Sequence, residues 1–177
     1  MTRYLQTRRR CQNDDRHEPL LLRGKVSDEF GAPIAGAVVD VWHSTPDGHY
    51  GGFHNNIPRD FYRGKLRTDA AGRYSVRTTV PVAYQIPHKG PVGAMLDAMG
   101  RHSWRPAHVH FKVHASGFHT LITQSYFEGG NYVDNDSCEG VHSALIHPDR
   151  REGGVRLIEN DFKLAPAIAA QSAAAAD

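Results

Sequence analysis

Cysteine and long apolar runs are both scarce in this 177-residue chain. Cys11 and Cys138 are its only two cysteines. They are too few for a disulfide framework, which predicts a protein of a reducing compartment, the cytoplasm. No apolar run approaches the roughly 20 residues that a membrane-spanning helix needs, and the N-terminal stretch MTRYLQTRRRCQ lacks the apolar core of a signal peptide. These absences predict a protein without a membrane partner.

An excess of charge of one sign is missing as well. Lysine and arginine total 21 and aspartate and glutamate total 19, a net charge of +2, so the sequence predicts neither a nucleic-acid-binding protein nor an acidic tail. The hydrophobic fraction of 40% is too high for a disordered chain, and the length suits one domain. The chain is rich in histidine, with 12 residues, and its 17 glycines and 10 prolines favour a turn-rich β protein over a helix bundle.

The sequence divides into a body and two unlike ends. Residues 1–18 are polar and basic and predict a flexible arm, and residues 165–177 form an alanine-rich tail. The body, residues 19–164, alternates short runs of β-forming residues with turn residues, which predicts a mainly β fold, an antiparallel β-sandwich with long loops. One short internal helix is predicted at Val92–Met99. The predicted strands are Leu20–Val26, Ala37–Trp42, Arg73–Val80, Val109–Val113 and Thr120–Phe127.

The sharpest local pattern is the segment RPAHVHFKV, residues 105–113. Residues two apart on a strand share a face, so His108 and His110 are predicted to point one way while the apolar residues between and after them point into the core. Two imidazoles on one face are suited to a metal ion. The same pattern is also typical of two hydrogen-bonded histidines on a polar face, and the pair alone leaves both interpretations open.

Two tyrosine segments add to the histidine pattern. Tyr50 follows the turn sequence PDGH, and Tyr84 lies within VPVAYQIP. Together with the glycine, proline, aspartate and tryptophan pattern of residues 24–42, and with Gln124, these segments resemble the non-haem iron intradiol ring-cleavage dioxygenases, the catechol and hydroxyquinol 1,2-dioxygenase group. The resemblance covers residues 22–141 and is specific in the ordered set of two tyrosines and the RPAHVH string.

The resemblance implies the ligands of one ferric ion. Tyr50, Tyr84, His108 and His110 are expected to hold Fe(III), with a solvent hydroxide as the fifth ligand. Two phenolates and a hydroxide balance the charge of trivalent iron and make a neutral buried site, whereas divalent zinc would leave the same ligands negatively charged. The implied reaction cleaves a catechol-type ring between its two hydroxylated carbons with O2 and gives a cis,cis-muconate-type product.

The resemblance also implies roles for the residues around the metal. Tyr84 is expected to leave the iron when catechol binds and to accept one of its protons. Arg105 is expected to turn over the substrate ring, because Pro106 bends the chain, and to stabilise charge on the carbon that meets oxygen. Gln124 is expected to line the pocket through hydrogen bonds. The other substrate-binding candidates are Phe30, Gly31 and Cys138.

One family feature is missing from the sequence. Catechol and hydroxyquinol 1,2-dioxygenases usually carry an N-terminal helical region that dimerises and supplies a pocket wall, but only about twenty residues precede the first predicted strand here. This short form implies that the pocket is open, that another subunit covers it, or that the chain is a fragment. Formation of a homo-oligomer stays open.

Two other functions remain compatible with parts of the pattern. A non-catalytic prealbumin-like β-sandwich module shares the early glycine and proline pattern, but it has no need of the two tyrosines and two histidines and is expected to be colourless. A zinc hydrolase would use His108 and His110 with a carboxylate from Asp134 or Asp136. Bound zinc, and activity that survives loss of either tyrosine, are expected for that enzyme.

Overall fold

The computed structural model describes residues 3–4, 17–51, 54–55 and 57–167. Over these residues the chain forms thirteen strands, one α-helix and a 3₁₀ turn at Ser143–Leu145. The helix, α1, is Pro91–Ala98. The strands are β1 (Arg3–Tyr4), β2 (Pro19–Asp28), β3 (Val38–His43), β4 (Arg63–Arg67), β5 (Arg73–Thr79), β6 (Tyr84–Gln85), β7 (Trp104–Arg105), β8 (His108–His114), β9 (Leu121–Phe127), β10 (Ile146–His147), β11 (Arg150–Glu152), β12 (Val155–Glu159) and β13 (Phe162–Leu164).

Two sheets share one core. The first sheet has the strand order β1-β5-β2-β12-β11, with β13 also paired to β2, and the second has the order β10-β9-β8-β3-β4. Strands β6 and β7 form a separate two-stranded ribbon. The prediction of a mainly β sandwich with at most one short internal helix is confirmed for the described residues.

The long strands pair antiparallel, and short strands complete both sheets. The pairs β2–β5, β3–β4, β3–β8 and β8–β9 are antiparallel. Parallel pairing occurs where β1, β10, β12 and β13 join their neighbours, and each of these four strands has five residues or fewer. The antiparallel arrangement that the sequence predicts is therefore the centre of the sandwich.

The core follows the alternation of side chains along the strands. On β8, Val109, Phe111 and Val113 are fully buried, as a side-chain period of two predicts for a strand with one face on the core. The Phe111 ring packs against Tyr74 on β5 and Phe162 on β13, with ring centroids 6.4 and 5.1 Å apart. One strand of the second sheet thus contacts two strands of the first, and the opposite face of β8 is left for polar residues.

The helix α1 begins one residue before its predicted position and ends one residue earlier. Pro91 stands in its first turn, where a missing N–H removes no helical hydrogen bond. A Cβ on Gly93 would lie 1.7 Å from the carbonyl oxygen of His88, so this close contact requires glycine. No helix in the described ranges combines the length and apolar character needed to cross a bilayer.

The two predicted ends are described only in part. Of the predicted arm, residues 1–18, all but 3–4 and 17–18 lie outside the described residues, and Arg3–Tyr4 form β1 beside β5. The predicted tail, residues 165–177, is described as far as residue 167. There the Ala165 carbonyl accepts a hydrogen bond from the His119 amide at 2.9 Å, and the Ala167 amide donates to the Gly117 carbonyl at 2.9 Å. Hydrogen-bonded structure therefore continues past the predicted body limit at residue 164.

Candidate metal centre

The register between β8 and β9 gathers polar side chains on one face of the second sheet. His108 lies opposite Tyr126, and His110 lies opposite Gln124. Residues two apart on a strand share a face, so all four side chains project from the side of the sheet that faces away from the core. The predicted histidine pair is therefore part of a larger polar group.

The two imidazoles are oriented toward a common point. His108 Nδ1 donates a hydrogen bond to the Pro106 carbonyl oxygen at 2.7 Å, which leaves the lone pair on Nε2. Nε2 of His108 and Nε2 of His110 are 3.0 Å apart. Two nitrogens bound to one ion at about 2.1 Å and at right angles are separated by about 3 Å. The pair therefore has the spacing of adjacent ligands of a single ion.

A stack of planar groups holds His110 from its outer side. The imidazole lies on the Trp42 ring of β3 with a centroid separation of 4.8 Å and an angle of 7°. The Arg63 guanidinium of β4 lies 4.5 Å from the centre of the Trp42 ring, and Arg63 is itself paired with the buried carboxylate of Asp40 at 2.8 Å. This row across three strands restricts rotation of the His110 ring, as the outer partners of metal-binding histidines do.

The two predicted tyrosine ligands lie beside the histidines. Tyr50 comes from the loop after β3 and Tyr84 from β6, and their ring centroids are 5.0 Å apart. The Tyr84 ring is 5.6 Å from His108, and the Tyr50 ring is 6.4 Å from His110. Since the two imidazoles are 4.6 Å apart, each of the four rings neighbours the next. The structure brings together the four side chains that the motifs single out.

Burial controls the ionisation of all four groups. Together with the neighbouring cation of Arg105, burial lowers the pKa of His108 to about 3 and that of His110 to about 4, so both imidazoles are neutral at neutral pH. Burial also raises the pKa of Tyr50 and Tyr84 above the usual value of a phenol. Phenols that ionise only beside a highly charged cation, with two neutral imidazoles, form a donor set that fits a trivalent ion.

Arg105 lies close to the histidines, and residues 106–107 separate its strand β7 from β8. On β7 it lies opposite Tyr84, and its guanidinium NH1 is 3.2 Å from His108 Nε2. The Asp136 carboxylate accepts hydrogen bonds from Nε and NH2 of Arg105, both at 3.0 Å. Burial opposes the charge of Arg105, but Asp136 outweighs it and keeps the pKa of the guanidinium above its usual value. A permanent cation therefore lies beside the predicted ligands.

Gln124 joins this group through its amide oxygen. Gln124 Oε1 accepts hydrogen bonds from Arg105 NH2 at 3.1 Å and from the Tyr126 hydroxyl at 3.0 Å. The Tyr126 hydroxyl in turn accepts one from Arg105 NH2 at 3.1 Å. Burial raises the pKa of Tyr126 to about 12, so this phenol keeps its proton and donates it to Gln124. The predicted pocket glutamine is thus held in a fixed orientation.

The remaining predicted pocket residues divide into two cases. Cys138 is exposed, and its amide donates a hydrogen bond to Asp136 Oδ1 at 3.2 Å. Its place in the wall of the pocket remains a prediction. Phe30 and Gly31 lie in the turn between β2 and β3, where Phe30 is 88% exposed. The cavity beside Tyr50 and Tyr84 is lined by other residues of the described chain. A part for Phe30 and Gly31 in substrate binding remains a prediction.

A zinc hydrolase would need the carboxylate of Asp134 or Asp136 as a metal ligand beside the two histidines, and the structure places both carboxylates differently. Asp136 directs both oxygens at Arg105, and Asp134 is exposed. Within the described ranges, no three or more histidine, cysteine, aspartate and glutamate side chains are grouped to hold a metal. The further donors beside His108 and His110 are the two phenols.

Sequence reasoning missed two members of this group. Tyr126 could have been found, because it lies two residues after Gln124 on a predicted strand and so shares its face. The sequence suggests Asp136 only as a ligand of the alternative zinc site. Its loop carries no periodic pattern, and 31 positions separate it from Arg105, so no local signal points to the pair.

Comparisons with known proteins agree with this geometry. The model of a protein family described as Dioxygenase matches residues 3–165 of this chain. A chlorocatechol 1,2-dioxygenase from Pseudomonas sp. (strain P51) is 59% identical over 149 residues, which cover 84% of this chain and 59% of that protein. The crystal structure of chlorocatechol 1,2-dioxygenase from Pseudomonas putida superposes with a TM-score of 0.84 at 56% identity, covering 92% of this chain and 64% of that one.

A more distant structure extends the comparison. Hydroxyquinol 1,2-dioxygenase from Pseudomonas putida DLL-E4 matches with a TM-score of 0.78 at 34% identity, covering 93% of this chain and 59% of that one. The chain therefore spans about three-fifths of the length of these relatives. The fold is a β-sandwich in which two tyrosines and two histidines lie together. This chain belongs to the dioxygenase family, and its relatives include chlorocatechol and hydroxyquinol 1,2-dioxygenases.

Proposed function

We propose that this chain carries the active site of an iron-dependent intradiol dioxygenase. It cleaves a catechol-type ring between its two hydroxylated carbons, inserts both atoms of O2, and gives a cis,cis-muconate-type product. The observation that carries the proposal is the meeting of Tyr50, Tyr84, His108 and His110 beside the buried cation of Arg105. The names of the relatives support the same reaction class.

The metal in this proposal is Fe(III), one per chain. Tyr50, Tyr84, His108 and His110 would hold it, because their donor atoms come from adjacent rings and two of them are phenols. Iron in this state would bind the two substrate oxygens and make the electron-rich ring reactive toward O2. The protein's own contribution is to position the substrate and to supply fixed charges.

Three side chains of this chain act on the substrate in the proposed reaction. Tyr84, which would be a phenolate beside the iron, would take a proton on Oη from one substrate hydroxyl as the catechol enters and become a neutral phenol. The guanidinium of Arg105, held in place by hydrogen bonds, stabilises negative charge that develops on the ring carbon and its oxygen. Gln124, oriented by Arg105 and Tyr126, contributes hydrogen bonding to the same pocket.

The proposed substrates are single-ring catechols, with chlorinated catechols first among them. A cavity of about 490 Å³ adjoins Tyr50 and Tyr84, with Ile86, Pro87 and Trp104 among its walls. This size and partly apolar lining suit one aromatic ring with small substituents. The relatives that are 56% to 60% identical are named chlorocatechol 1,2-dioxygenases, which supports this choice. Assembly into a homo-oligomer and a cytoplasmic location remain predictions.

The test is oxygen consumption by the iron-loaded chain with a panel of catechol, 3-chlorocatechol, 4-chlorocatechol, hydroxyquinol and protocatechuate. We expect a red-brown protein, from phenolate-to-iron charge transfer, that takes up one O2 per ring cleaved. Tyr50→Phe is expected to lose most of the colour and to lower iron content and turnover by more than about tenfold. Arg105→Ala is expected to keep the iron and lose turnover by about 100-fold.

Tyr74→Phe is the matched control. Tyr74 is another buried tyrosine, but its hydroxyl donates to the Asn160 carbonyl at 2.6 Å on the core side of the sandwich. We expect its colour and turnover to match the parent. A colourless parent that consumes no O2 with any of the five substrates, or a Tyr50→Phe variant as coloured as the parent, would refute the proposal.

A further inference from the structure

We propose that Asp136 is a positioning residue. It orients the Arg105 guanidinium through hydrogen bonds that connect it to the loop of residues 134–140. The proposal rests on the function proposed above and assigns a role to a residue outside the metal ligands. The two side chains form a buried ion pair, in which the exposed fraction of the side chain is 8% for Arg105 and 1% for Asp136. Other ion pairs in the described part of the chain, such as Arg23–Glu152 and Arg150–Glu159, are exposed to solvent, which weakens them.

Every acceptor position of the Asp136 carboxylate has a partner. Oδ1 accepts from Arg105 Nε at 3.0 Å and from the Cys138 amide at 3.2 Å. Oδ2 accepts from Arg105 NH2 and from the Gly140 amide, both at 3.0 Å. These four donors lower the pKa of Asp136 below its usual value although burial opposes the charge. One carboxylate thus joins the cation to two backbone positions of the loop.

The paired edge of the guanidinium determines where its other edge points. A guanidinium is planar, and Asp136 binds the edge formed by Nε and NH2 in a bidentate manner. NH1 is the remaining nitrogen, and it lies 3.2 Å from His108 Nε2. Because the group is rigid, holding one edge fixes the direction of NH1 toward the metal centre.

Gly140 permits the loop to come this close. A Cβ at this position would lie 2.9 Å from Arg105 NH2, 2.9 Å from the Tyr126 hydroxyl and 3.3 Å from Asp136 Oδ2. A methyl group would therefore displace the guanidinium or the phenol from its present place. The position of the Gly140 backbone and that of the cation depend on each other.

The consequence for the reaction is that the loop and the charge-stabilising cation share one carboxylate. The amide of Cys138, the pocket-wall candidate, is one of the two backbone groups that donate to Asp136, and the amide of Gly140 is the other. Since Asp136 acts through Arg105, its loss is expected to affect the rate of the chemical step more than substrate binding.

The test compares Asp136→Asn with Asp134→Asn in the full chain. The side-chain amide of Asp136→Asn has the shape of the carboxylate. Its NH2 group, however, would face N–H groups that now donate to Asp136. We expect Asp136→Asn to lower kcat by about 10- to 100-fold while KM changes within about threefold, with iron content and colour unchanged. Asp134 is exposed and lies in the same loop, and its variant is expected to match the parent.

A second readout needs neither iron nor turnover. In the metal-free chain with ¹⁵N-labelled arginine, the buried Arg105 Nε–H is expected to exchange slowly with solvent. Asp136→Asn, and independently Gly140→Ala, are expected to speed that exchange by about tenfold or more. Unchanged exchange in both variants overturns the proposal, and so does a kcat equal to that of the parent.

A double variant separates positioning from general damage. If Asp136 acts through Arg105, adding Asp136→Asn to Arg105→Ala lowers kcat no further than Arg105→Ala alone. A full additional loss contradicts the proposal. A parent chain that oxidises no catechol refutes the proposed function instead, while the exchange experiment still decides whether Asp136 holds Arg105.

Discussion

His43, at the end of β3, is a fully buried histidine whose ring nitrogens are both occupied. Nδ1 donates to the Ser44 carbonyl at 2.6 Å, and Nε2 accepts from the Thr78 hydroxyl at 2.7 Å. Burial lowers its pKa to about 4, well below the value of about 6.5 expected in the unfolded chain. The unfolded state therefore binds a proton first as the pH falls. His43 supports the fold fully above pH 6.5 and progressively less between pH 6.5 and pH 4.

This linkage predicts a pH dependence of stability. From pH 7 to pH 5, His43 is expected to remove about 2 kcal/mol from the free energy of unfolding. Urea unfolding of the parent and of His43→Gln at both pH values measures it, because the other buried histidines contribute equally to the two proteins. His119→Gln, which changes an exposed histidine, is expected to keep the parent's dependence. An identical dependence in His43→Gln would contradict the account.

At the scale of the elements, β2 has one position, Gly24, that has no room for a side chain. It pairs with β12 over residues 20–23 and with β13 over residues 26–28, so the partner changes at Gly24. A Cβ on Gly24 would lie 2.0 Å from the Asn160 carbonyl oxygen. The Asn160 amide donates to the Arg23 carbonyl at 2.9 Å, which holds the connecting residues against β2.

Gly24→Ala is therefore expected to destabilise the protein. The added methyl forces the segment between β12 and β13 away from β2, at a cost of about 1–3 kcal/mol. Urea unfolding measures the loss, and Lys25→Ala, at the next position on the same strand, is expected to change the free energy by less than about 0.5 kcal/mol. If the Gly24→Ala variant were as stable as the parent, the segment between β12 and β13 could move away from β2 without cost, and the prediction would be wrong.

The alternation of residues along the sequence predicts some strands of the fold and not others. The predicted strands correspond to β2, β3, β5, β8 and β9, which carry the alternating buried residues of the core. The strands that the sequence did not predict are β1, β4, β6, β7 and those after residue 145. β4 reads RGKLR and β11 reads RRE, so charged side chains hide the period of two. These strands form because a neighbouring strand supplies their hydrogen-bonding partners. The local sequence does not show which strand that neighbour will be.

At the scale of the whole molecule, Phe111 connects the two sheets. It is fully buried on β8, and its ring contacts Tyr74 and Phe162 of the first sheet. The residue before it, His110, belongs to the candidate metal centre on the opposite face of the same strand. The core and the site thus share one strand, so the position of the histidine pair depends on the packing behind it.

Phe111→Ala is expected to lower the free energy of unfolding by about 3–5 kcal/mol, because it leaves a cavity between the sheets. Both sheets are expected to unfold in a single transition, which near-UV and far-UV circular dichroism would follow together. Ile122→Ala removes a side chain that is 67% exposed on β9 and is expected to change stability by less than about 0.5 kcal/mol. Separate transitions for the two signals would contradict a shared core.

The sequence by itself determined which side chains share a face and what chemistry they offer. The alternation of the RPAHVHFKV segment places His108 and His110 together and Phe111 behind them, because neighbours on a strand point to opposite sides. The resemblance in the tyrosine segments named Tyr50 and Tyr84 as their partners. These predictions rest on local geometry, which a strand imposes wherever it lies in the fold.

Only the tertiary structure decided which distant segments meet. It brought Asp136 to Arg105 across 31 positions of loop and strand. Such contacts depend on the register between strands and on the path of irregular loops, and neither has a period that a sequence displays. Local alternation determines the direction of a side chain, and the packing of the whole molecule determines its partner.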